Sequence, residues 1–478
     1  MRLLILLVLL ISPVLARQDL KGASSASDWR QFRGPSGLGV AQTSNLPERF
    51  GLKENLIWKV SLPPGHSSPV LSQDHIFVTA YEGEKLLTIS LDRATGKVLW
   101  RCQAPRPREE SFQSTHGPAS STPVTDGENV YVFFGDFGIL SYGPDGSERW
   151  RSPLGPFYNA NGHGSSPILA NGVLLLICDQ DSGSFLIAVD QKDGSIRWRT
   201  DRPEVTRGYA TPAIYRPRKG PAQVIVPGSY QAASYRLDTG EKLWWVRRMA
   251  WQVKCVPIIS NGTIYINAWE SGQRRSVSPF DEVLSQYDTN RDGTLSAHES
   301  PEPKIREQGT WKLWDLDQDG VMGRRDWEFY RARLSPENSL VAIRPGNARG
   351  DLTDSHVLWR HHKALPNTSS PLLINNVIFL VKDGGIVTSL DPASGRVLKQ
   401  DRLKNAIGKY WASPVGTGDK VYLVSEDGDL TTLRAIGDWE VLATSRFQED
   451  CLATPAIADD RIYIRTLGTL YCFGRRPR

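Results

Sequence analysis

The chain has 478 residues, a formal net charge of +5, 40% hydrophobic and 23% charged residues. This length allows one large closed repeat array or two to three ordinary domains. The basic residues are interspersed with acids, so the composition gives no case for a nucleic acid partner. Five cysteines are too few for a disulfide framework, and packing must supply the stability.

The N-terminus has the features of a secretion signal. Arg2 precedes an unbroken apolar run over residues 3–11, and residues 14–16 offer small side chains at the cleavage positions. The run is too short to serve as a permanent membrane anchor. We therefore predict a signal peptide over residues 1–16, no transmembrane anchor, and a periplasmic or secreted protein. An N-terminal segment over residues 17–55 precedes the first repeat.

A repeat follows, in which a proline lies two residues after a small or hydroxylated residue and precedes a strand-like run. The eight prolines are Pro69, Pro123, Pro167, Pro212, Pro257, Pro371, Pro414 and Pro455. Seven successive spacings result, and six of them lie between 41 and 54 residues, whereas the one from Pro257 to Pro371 is 114 residues. A period in the forties with strand-type content is typical of a β-propeller, and the long gap predicts an insertion in the fifth blade.

Each repeat predicts one blade of four short strands. In the first repeat, the turn from Asp92 to Gly96 leads into an outer strand that ends at Trp100. The same tryptophan recurs in most repeats, and we interpret it as a wedge between neighbouring sheets; Lys399 and Leu442 replace it in two repeats.

The eighth repeat ends before any outer strand, and residues 56–59 near the N-terminus have the missing pattern. We therefore predict an all-β, eight-bladed β-propeller that is closed by its N-terminal strand. Blades 1–5 are expected over residues 56–272, an insertion over residues 273–337, and blades 5–8 over residues 338–478.

The insertion contains two twelve-residue loops of the EF-hand type, Asp288–Glu299 and Asp315–Asp326. In such a loop, oxygen ligands stand at positions 1, 3, 5, 7 and 12 around a turn glycine at position 6. The predicted metal ligands are Asp288, Asn290, Asp292, Thr294, Glu299, Asp315, Asp317, Asp319, Val321 and Asp326. We expect Ca²⁺ in both loops, bound more weakly in the second, where Asp326 reaches less far than a glutamate. Leu295 and Met322 occupy the eighth positions, where paired loops touch.

The Asp-x-x-Thr-Gly-x-x-x-Trp turn, repeated after a secretion signal, resembles the pyrroloquinoline-quinone-like propeller repeat. That family includes quinoprotein alcohol dehydrogenases and the lipoprotein propeller of the outer-membrane-protein assembly machinery. The segment Asp28–Pro35 is similar to the N-terminal segment of secreted propellers of this type. Quinoprotein dehydrogenases hold their cofactor with a ring formed by vicinal cysteines, a tryptophan floor, and Ca²⁺ beside a catalytic aspartate. This chain has no Cys-Cys pair, so the resemblance carries over no catalytic residue.

In a propeller, the residues a few places before each inner strand line the mouth of the central channel. A funnel of aromatic and polar side chains is the expected ligand site. The predicted cofactor-binding residues are His66, His116, His163, Arg207, Tyr209, Trp251, Lys254, Lys409, Tyr410, Trp411 and Asp450. Trp251 or Trp411 could stack on a planar cofactor or a sugar ring.

We expect a monomeric, non-catalytic binding or scaffold module that takes a protein, a glycan or a small ligand at the channel mouth. The alternative is a dehydrogenase that uses pyrroloquinoline quinone to oxidise alcohols or sugars. A polysaccharide hydrolase or lyase is a third option, which the acidic pair Glu449 and Asp450 leaves open.

Overall fold

The structure is a computed structural model that describes residues 28–42, 45–112, 116–271, 275–302, 305, 310–311, 314–335 and 337–475. The predicted signal peptide, residues 1–16, lies outside the described residues. Within them, the strands form eight sheets, each built on four antiparallel strands. The predicted eight-bladed, all-β propeller is confirmed. No helix in these ranges is long and apolar enough to cross a bilayer.

The strands are numbered in chain order, and each blade begins with its innermost strand. Blade 1 consists of β3 (Val70–Leu71), β4 (His75–Glu82), β5 (Lys85–Asp92) and β6 (Val98–Ala104), and blade 2 of β7 (Val124–Thr125), β8 (Val130–Phe134), β9 (Gly138–Tyr142) and β10 (Glu148–Pro153). Blade 3 consists of β11 (Ile168–Ala170), β12 (Val173–Cys178), β13 (Phe185–Asp190) and β14 (Ile196–Asp201), and blade 4 of β15 (Ala213–Tyr215), β16 (Gln223–Gly228), β17 (Gln231–Arg236) and β18 (Lys242–Arg247). Blade 5 consists of β19 (Ile258–Ser260), β20 (Thr263–Ala268), β21 (Ser339–Ile343) and β23 (Val357–His361), and blade 6 of β24 (Leu372–Ile374), β25 (Val377–Lys382), β26 (Ile386–Leu390) and β27 (Val397–Arg402). Blade 7 consists of β28 (Val415–Thr417), β29 (Lys420–Val424), β30 (Asp429–Arg434) and β31 (Val441–Arg446), and blade 8 of β32 (Ala456–Ala458), β33 (Arg461–Arg465), β34 (Thr469–Gly474) and β2 (Leu56–Ser61). Two short strands add parallel edges: β1 (Val40–Ala41) beside β28 and β22 (Gly350–Asp351) beside β18.

The two middle strands of a blade are buried along most of their length. In blade 3, every residue of β13 is buried and β12 is buried apart from its first residue, because both faces of the sheet pack against neighbouring blades. The outer strand β14 has no buried residue and alternates between exposed and half-buried positions towards its end. The core therefore lies between the sheets, as a ring around the channel.

The N-terminal strand β2 completes the last blade. It pairs with β34 in antiparallel register, with Trp58 opposite Cys472 and Val60 opposite Leu470. The indole of Trp58 lies 6.0 Å from the ring of Tyr463, measured between centroids. The predicted closure of the ring is confirmed.

The tryptophan of an outer strand packs on the turn glycine of the next blade. The indole of Trp150 donates to the carbonyl of Gln191 at 3.0 Å, and a Cβ added to Gly194 would lie 2.4 Å from the same ring. The same pairing occurs at Trp58–Gly96, Trp100–Gly146, Trp198–Gly240 and Trp359–Gly395. In blade 6, where lysine replaces the tryptophan, Lys399 Nζ donates instead to the carbonyl of Trp439 at 2.6 Å. The repeated turn glycine and the tryptophan thus form one contact between neighbouring blades.

A ring of hydrogen bonds joins the blades around the channel. It is formed by the residue directly before each repeated proline, whose amide donates to the side-chain hydroxyl of the matching residue in the next blade. Seven such bonds of 3.0 or 3.1 Å link Ser68, Thr122, Ser166 and Thr211, and then Val256, Ser370, Ser413, Thr454 and again Ser68. The step from Thr211 to Val256 is missing, because valine has no acceptor.

The insertion separates β20 from β21 in blade 5. Its described part contains two helices, α1 (Phe280–Tyr287) and α2 (Arg324–Leu334). Leu295 and Met322 exchange backbone hydrogen bonds of 3.1 and 2.8 Å in an antiparallel bridge, which is the predicted contact between the two loops. Their side chains lie in a small apolar core with Phe280 and Trp327.

Candidate functional site

A cavity of about 650 Å³ lies at the end of the channel where the inner strands begin. Its described lining is Phe32, His66, Ser68, His116, Ser120, Thr122, Asn161, Gly164, Ser166, Tyr209, Gln252, Lys254, Ser271, Asn367, Thr368, Trp411, Leu452 and Thr454. Five of the eleven residues predicted to bind a cofactor are among them: His66, His116, Tyr209, Lys254 and Trp411. We call this space the mouth cavity.

The polar side chains of the mouth cavity are held by short contacts. Lys254 Nζ donates to Asn367 Oδ1 at 2.7 Å. The hydroxyl of Tyr209 accepts from Asn161 Nδ2 at 2.8 Å, and His116 Nε2 donates to the carbonyl of His163 at 2.9 Å. These hydrogen bonds hold the side chains of Lys254, Tyr209 and His116 in place.

Burial keeps the two histidines of the cavity neutral. The pKa of His66 is lowered to about 4, first by burial and then by electrostatic interactions with His116 and Arg465. Burial also lowers the pKa of His116. At neutral pH each imidazole thus has one N–H donor and one acceptor nitrogen.

The N-terminal segment contributes the floor of the cavity. Phe32 belongs to its lining, and the next residue, Arg33, is fully buried beneath the inner strands. The Arg33 guanidinium donates to the carbonyls of Gly37 and Pro371 at 3.1 and 2.7 Å. Sequence analysis missed Phe32 as a site residue, because the segment Asp28–Pro35 has no periodicity that would place it in the channel.

The other six predicted cofactor-binding residues lie outside the lining. Lys409 and Asp450 are exposed at the surface, and Tyr410 is buried with its hydroxyl donating to the Ala406 carbonyl at 2.7 Å. His163 is buried against Phe157, with ring centroids 4.2 Å apart. The remaining two, Arg207 and Trp251, are engaged by neighbouring side chains, as described next.

The insertion packs beside the mouth cavity through α2. The guanidinium of Arg333 packs against two indoles, 4.2 Å from the ring centroid of Trp251 and 4.5 Å from that of Trp314. The buried Arg207 forms an ion pair with Asp181, and its guanidinium lies 5.5 Å from the ring centroid of Trp251. The connection between the second and third strands leaves a blade at the end where its inner strand begins, which places the insertion at the mouth.

Two further contacts fix α2 to the propeller. Arg325 donates to the carbonyl of Asp181 at 2.9 Å. The hydroxyl of Tyr230 donates to the carbonyl of Phe329 at 2.9 Å, and the two rings stack with centroids 5.6 Å apart. The helix that leaves the second loop is therefore anchored to the wall of the channel mouth.

In the second loop, carboxylate oxygens of Asp315, Asp317 and Asp319 lie within 4.8 Å of one another. Asp326 accepts from the amides at both ends of the loop, Leu316 at 3.1 Å and Gly323 at 3.0 Å. Burial raises the pKa of Asp326 to about 6. Hard oxygen donors in this spacing suit a divalent cation of the calcium or magnesium type.

In the first loop, Glu299 reaches back to the start of the loop. Its carboxylate accepts from the amide and hydroxyl of Thr289 at 2.9 and 2.8 Å, and from the amide and hydroxyl of Ser296 at 3.0 and 2.7 Å. These bonds, led by the Ser296 amide, lower the pKa of Glu299 to about 2. Gly293 has a φ of 83°, which is the left-handed conformation that position 6 requires. The acidic side chain at position 12 is thus charged and close to the other predicted ligands.

Comparison with known proteins gives a consistent picture. A curated relative, the outer membrane protein assembly factor BamB of Yersinia pestis, is 23% identical over 399 residues, which cover 78% of this chain and 86% of the relative. The structure of BamB from Moraxella catarrhalis superposes with a TM-score of 0.57 at 12% identity, covering 88% of this chain and 98% of that one. A quinohemoprotein alcohol dehydrogenase from Comamonas testosteroni superposes with a TM-score of 0.57 at 13% identity, covering 96% and 82%. At such identities the structural likeness shows the fold.

The sequence match is to one family over most of the chain. Residues 88–246 and 223–476 match the family described as outer membrane protein assembly factor BamB. These ranges include all eight blades apart from the first strands of blade 1 and the closing strand β2. The chain therefore belongs to this family of quinone-type repeat propellers.

Proposed function

We propose that this protein is an exported, non-catalytic binding propeller that holds a ligand or partner at its mouth cavity, with Ca²⁺ bound by the inserted pair of loops. Export rests on the signal peptide predicted over residues 1–16. A role in assembly at the outer membrane is supported by the matching relative and family, which are outer membrane protein assembly factors.

One observation carries the proposal: the helix α2, whose first turn contains the last predicted ligand of the second loop, also packs on the mouth. Asp326 stands in the first turn of α2, and Arg333 in its last turn packs against Trp251 and Trp314. A cation in the loop would fix the start of this helix, and the indoles fix its end. We therefore expect bound Ca²⁺ to stabilise one wall of the binding site.

The donor set of both loops fits calcium. Asp315, Asp317 and Asp319 supply clustered carboxylates, and Glu299 supplies the carboxylate at position 12 of the first loop. When bound, the cation would neutralise these acids and hold the loops; no step of a reaction is assigned to it. The shorter Asp326 favours weaker binding in the second loop.

The alternative, a quinone-dependent dehydrogenase, is suggested by the shared fold of quinohemoprotein alcohol dehydrogenase. Its cofactor site requires carboxylates that hold a divalent cation beside the quinone. In the described part of the chain, no carboxylate lines the mouth cavity, and Cys102, Cys178, Cys255, Cys451 and Cys472 are free thiols. The residues present do not fit the quinone with its metal.

The two functions are separated by an assay on the purified full chain. Pyrroloquinoline quinone and Ca²⁺ are added together, and reduction of an electron-accepting dye is followed with alcohols and with sugars. We expect no quinone-dependent turnover. Quinone-dependent turnover with either substrate class would overturn the proposed binding role.

A further inference from the structure

The mouth cavity has donors and positive charge but no carboxylate among its described lining residues. The ammonium group of Lys254 has Asn367 as its hydrogen-bond partner, at 2.7 Å. Burial lowers the pKa of Lys254, and the opposing negative charge is that of Glu270, which lies outside the lining. Among the described lining residues, Lys254 therefore has no carboxylate partner.

Two buried guanidinium groups add positive charge beside the cavity. Arg465 is 1% exposed and donates from Nη1 to the carbonyl and hydroxyl of Ser67 at 3.0 and 2.6 Å. Among the described residues, its Nε and Nη2 have no hydrogen-bond partner. Arg33, beneath the floor, donates to backbone carbonyls of the inner strands. Burying a cation without a counter-charge is costly, and burial lowers the pKa of Arg465 to about 9.

Further donors of the lining are unpaired in the described part of the molecule. The indole N–H of Trp411 is shielded from solvent and has no acceptor, and His66 Nδ1, which is a donor in one of the two tautomers of the neutral ring, has no partner either. A buried donor without a partner costs roughly 1–3 kcal/mol. These groups, with Lys254, lie around one cavity, and oxygen atoms of a bound anion are the acceptors that would satisfy them together.

We propose that the mouth cavity binds a small oxyanion, a metabolite with a carboxylate or a phosphate group. This inference rests on the proposed binding role of the mouth. A volume of about 650 Å³ lies in the range of small-molecule sites and admits a ligand larger than the anionic group itself. Lys254 provides the charge–charge contact, Trp411 provides a neutral donor, and the neutral His66 ring provides a second one in its Nδ1–H tautomer. Arg33 and Arg465 raise the potential from behind the walls.

The experiment is a calorimetric titration of the full chain with inorganic phosphate and with citrate, at matched ionic strength. We expect saturable binding of at least one probe, and the two arms distinguish a phosphate-type from a carboxylate-type site. Lys254→Met and Trp411→Phe should each weaken binding roughly tenfold, as expected for the loss of one charge-assisted or buried hydrogen bond. Lys409→Met is the control, because it removes the same charge from an exposed residue outside the lining.

The outcomes are distinct from those that bear on the proposed function. Failure of both probes to bind, or equal weakening by Lys409→Met and Lys254→Met, would overturn the oxyanion site. Trp411→Phe keeps an aromatic ring but removes the indole N–H, so it tests the indole donor even where Lys254→Met reduces folding. Quinone-dependent turnover defeats the proposed function, whereas absence of anion binding without such turnover defeats this inference alone.

Discussion

The amide of Thr454 donates to the hydroxyl of Ser68 at 3.0 Å, which joins the last blade to the first. The two residues are 386 positions apart in the chain and occupy the same place in their repeats. This bond and the pairing of β2 with β34 close the propeller at its inner and outer edges. A closed ring keeps the inner strands in register around the channel, and thereby fixes the lining of the mouth cavity.

The ring of hydroxyl groups can be completed by one substitution. Val256→Thr supplies an acceptor for the amide of Thr211 at the step where the ring is interrupted. We expect a gain in the free energy of unfolding of about 1 kcal/mol, the net value of a buried hydrogen bond. Urea denaturation of the variant checks this. Ser370→Ala, which removes an existing acceptor from the ring, should lower the free energy of unfolding. A Val256→Thr protein that is less stable than the wild type would contradict the account.

The contact between tryptophan and turn glycine predicts a contrast between two glycines of blade 3. Gly194 and Gly172 have nearly equal φ, 75° and 78°, but an added Cβ meets Trp150 at 2.4 Å at the first and nothing within 4 Å at the second. Both alanine variants incur backbone strain, and Gly194→Ala adds a clash of the kind that costs about 1–3 kcal/mol. Thermal unfolding of the two variants measures the difference. Equal losses would show that the packing on Trp150 has no role.

These two contacts mark what could be predicted from the sequence. The turn glycine and the tryptophan recur in most repeats, and the missing outer strand of the eighth repeat indicates where β2 belongs. The pairing of the two residues across neighbouring blades was not predictable, because the repeat pattern gives their positions within a blade and not the angle between blades.

The lining of the mouth cavity was predicted less completely than the fold. The position before each proline locates the end of the channel but not the direction of a side chain. His163 turns away into an apolar cluster with Phe133 and Phe157, and Trp251 is covered by Arg333 of the insertion. Arg465 lies at the end of a strand with no repeated counterpart, and its proximity to His66 depends on ring closure.

The buried side chain of His163 predicts that the folded protein loses stability in acid. Burial, followed by the charges of His116 and Arg108, lowers the pKa of His163 from 6.5 to about 3. Between these values the unfolded chain binds a proton that the folded chain excludes, so stability falls as the pH drops below about 6.5, by about 1.4 kcal/mol per pH unit for one histidine. His163→Phe should flatten the dependence of the unfolding free energy on pH between 6 and 4.

The control for this comparison is His362→Gln, at an exposed position. Urea denaturation at several pH values gives the slopes. An unchanged slope in His163→Phe, or an equal change in His362→Gln, would contradict the assignment of the acid sensitivity to the buried ring.

Calcium binding is tested at position 12 of the first loop. Glu299→Gln removes the charge of the residue predicted to bind in bidentate fashion, so calcium affinity should fall strongly while the propeller remains folded. Calorimetric titration with Ca²⁺ measures the affinity, and circular dichroism checks the fold. Glu282→Gln, an exposed acid on α1 outside both loops, is the matched control. Absence of calcium uptake by the unmodified protein would show that the metal-site prediction is wrong.

The binding role of the mouth is tested most directly by site-specific crosslinking in the native envelope. A photoreactive amino acid is placed at Ser271, an exposed residue of the mouth cavity, or at Arg216, an exposed residue that lines a groove at the opposite end of the channel. The account predicts a discrete adduct from position 271 and none from position 216. Adducts from position 216 alone would contradict it.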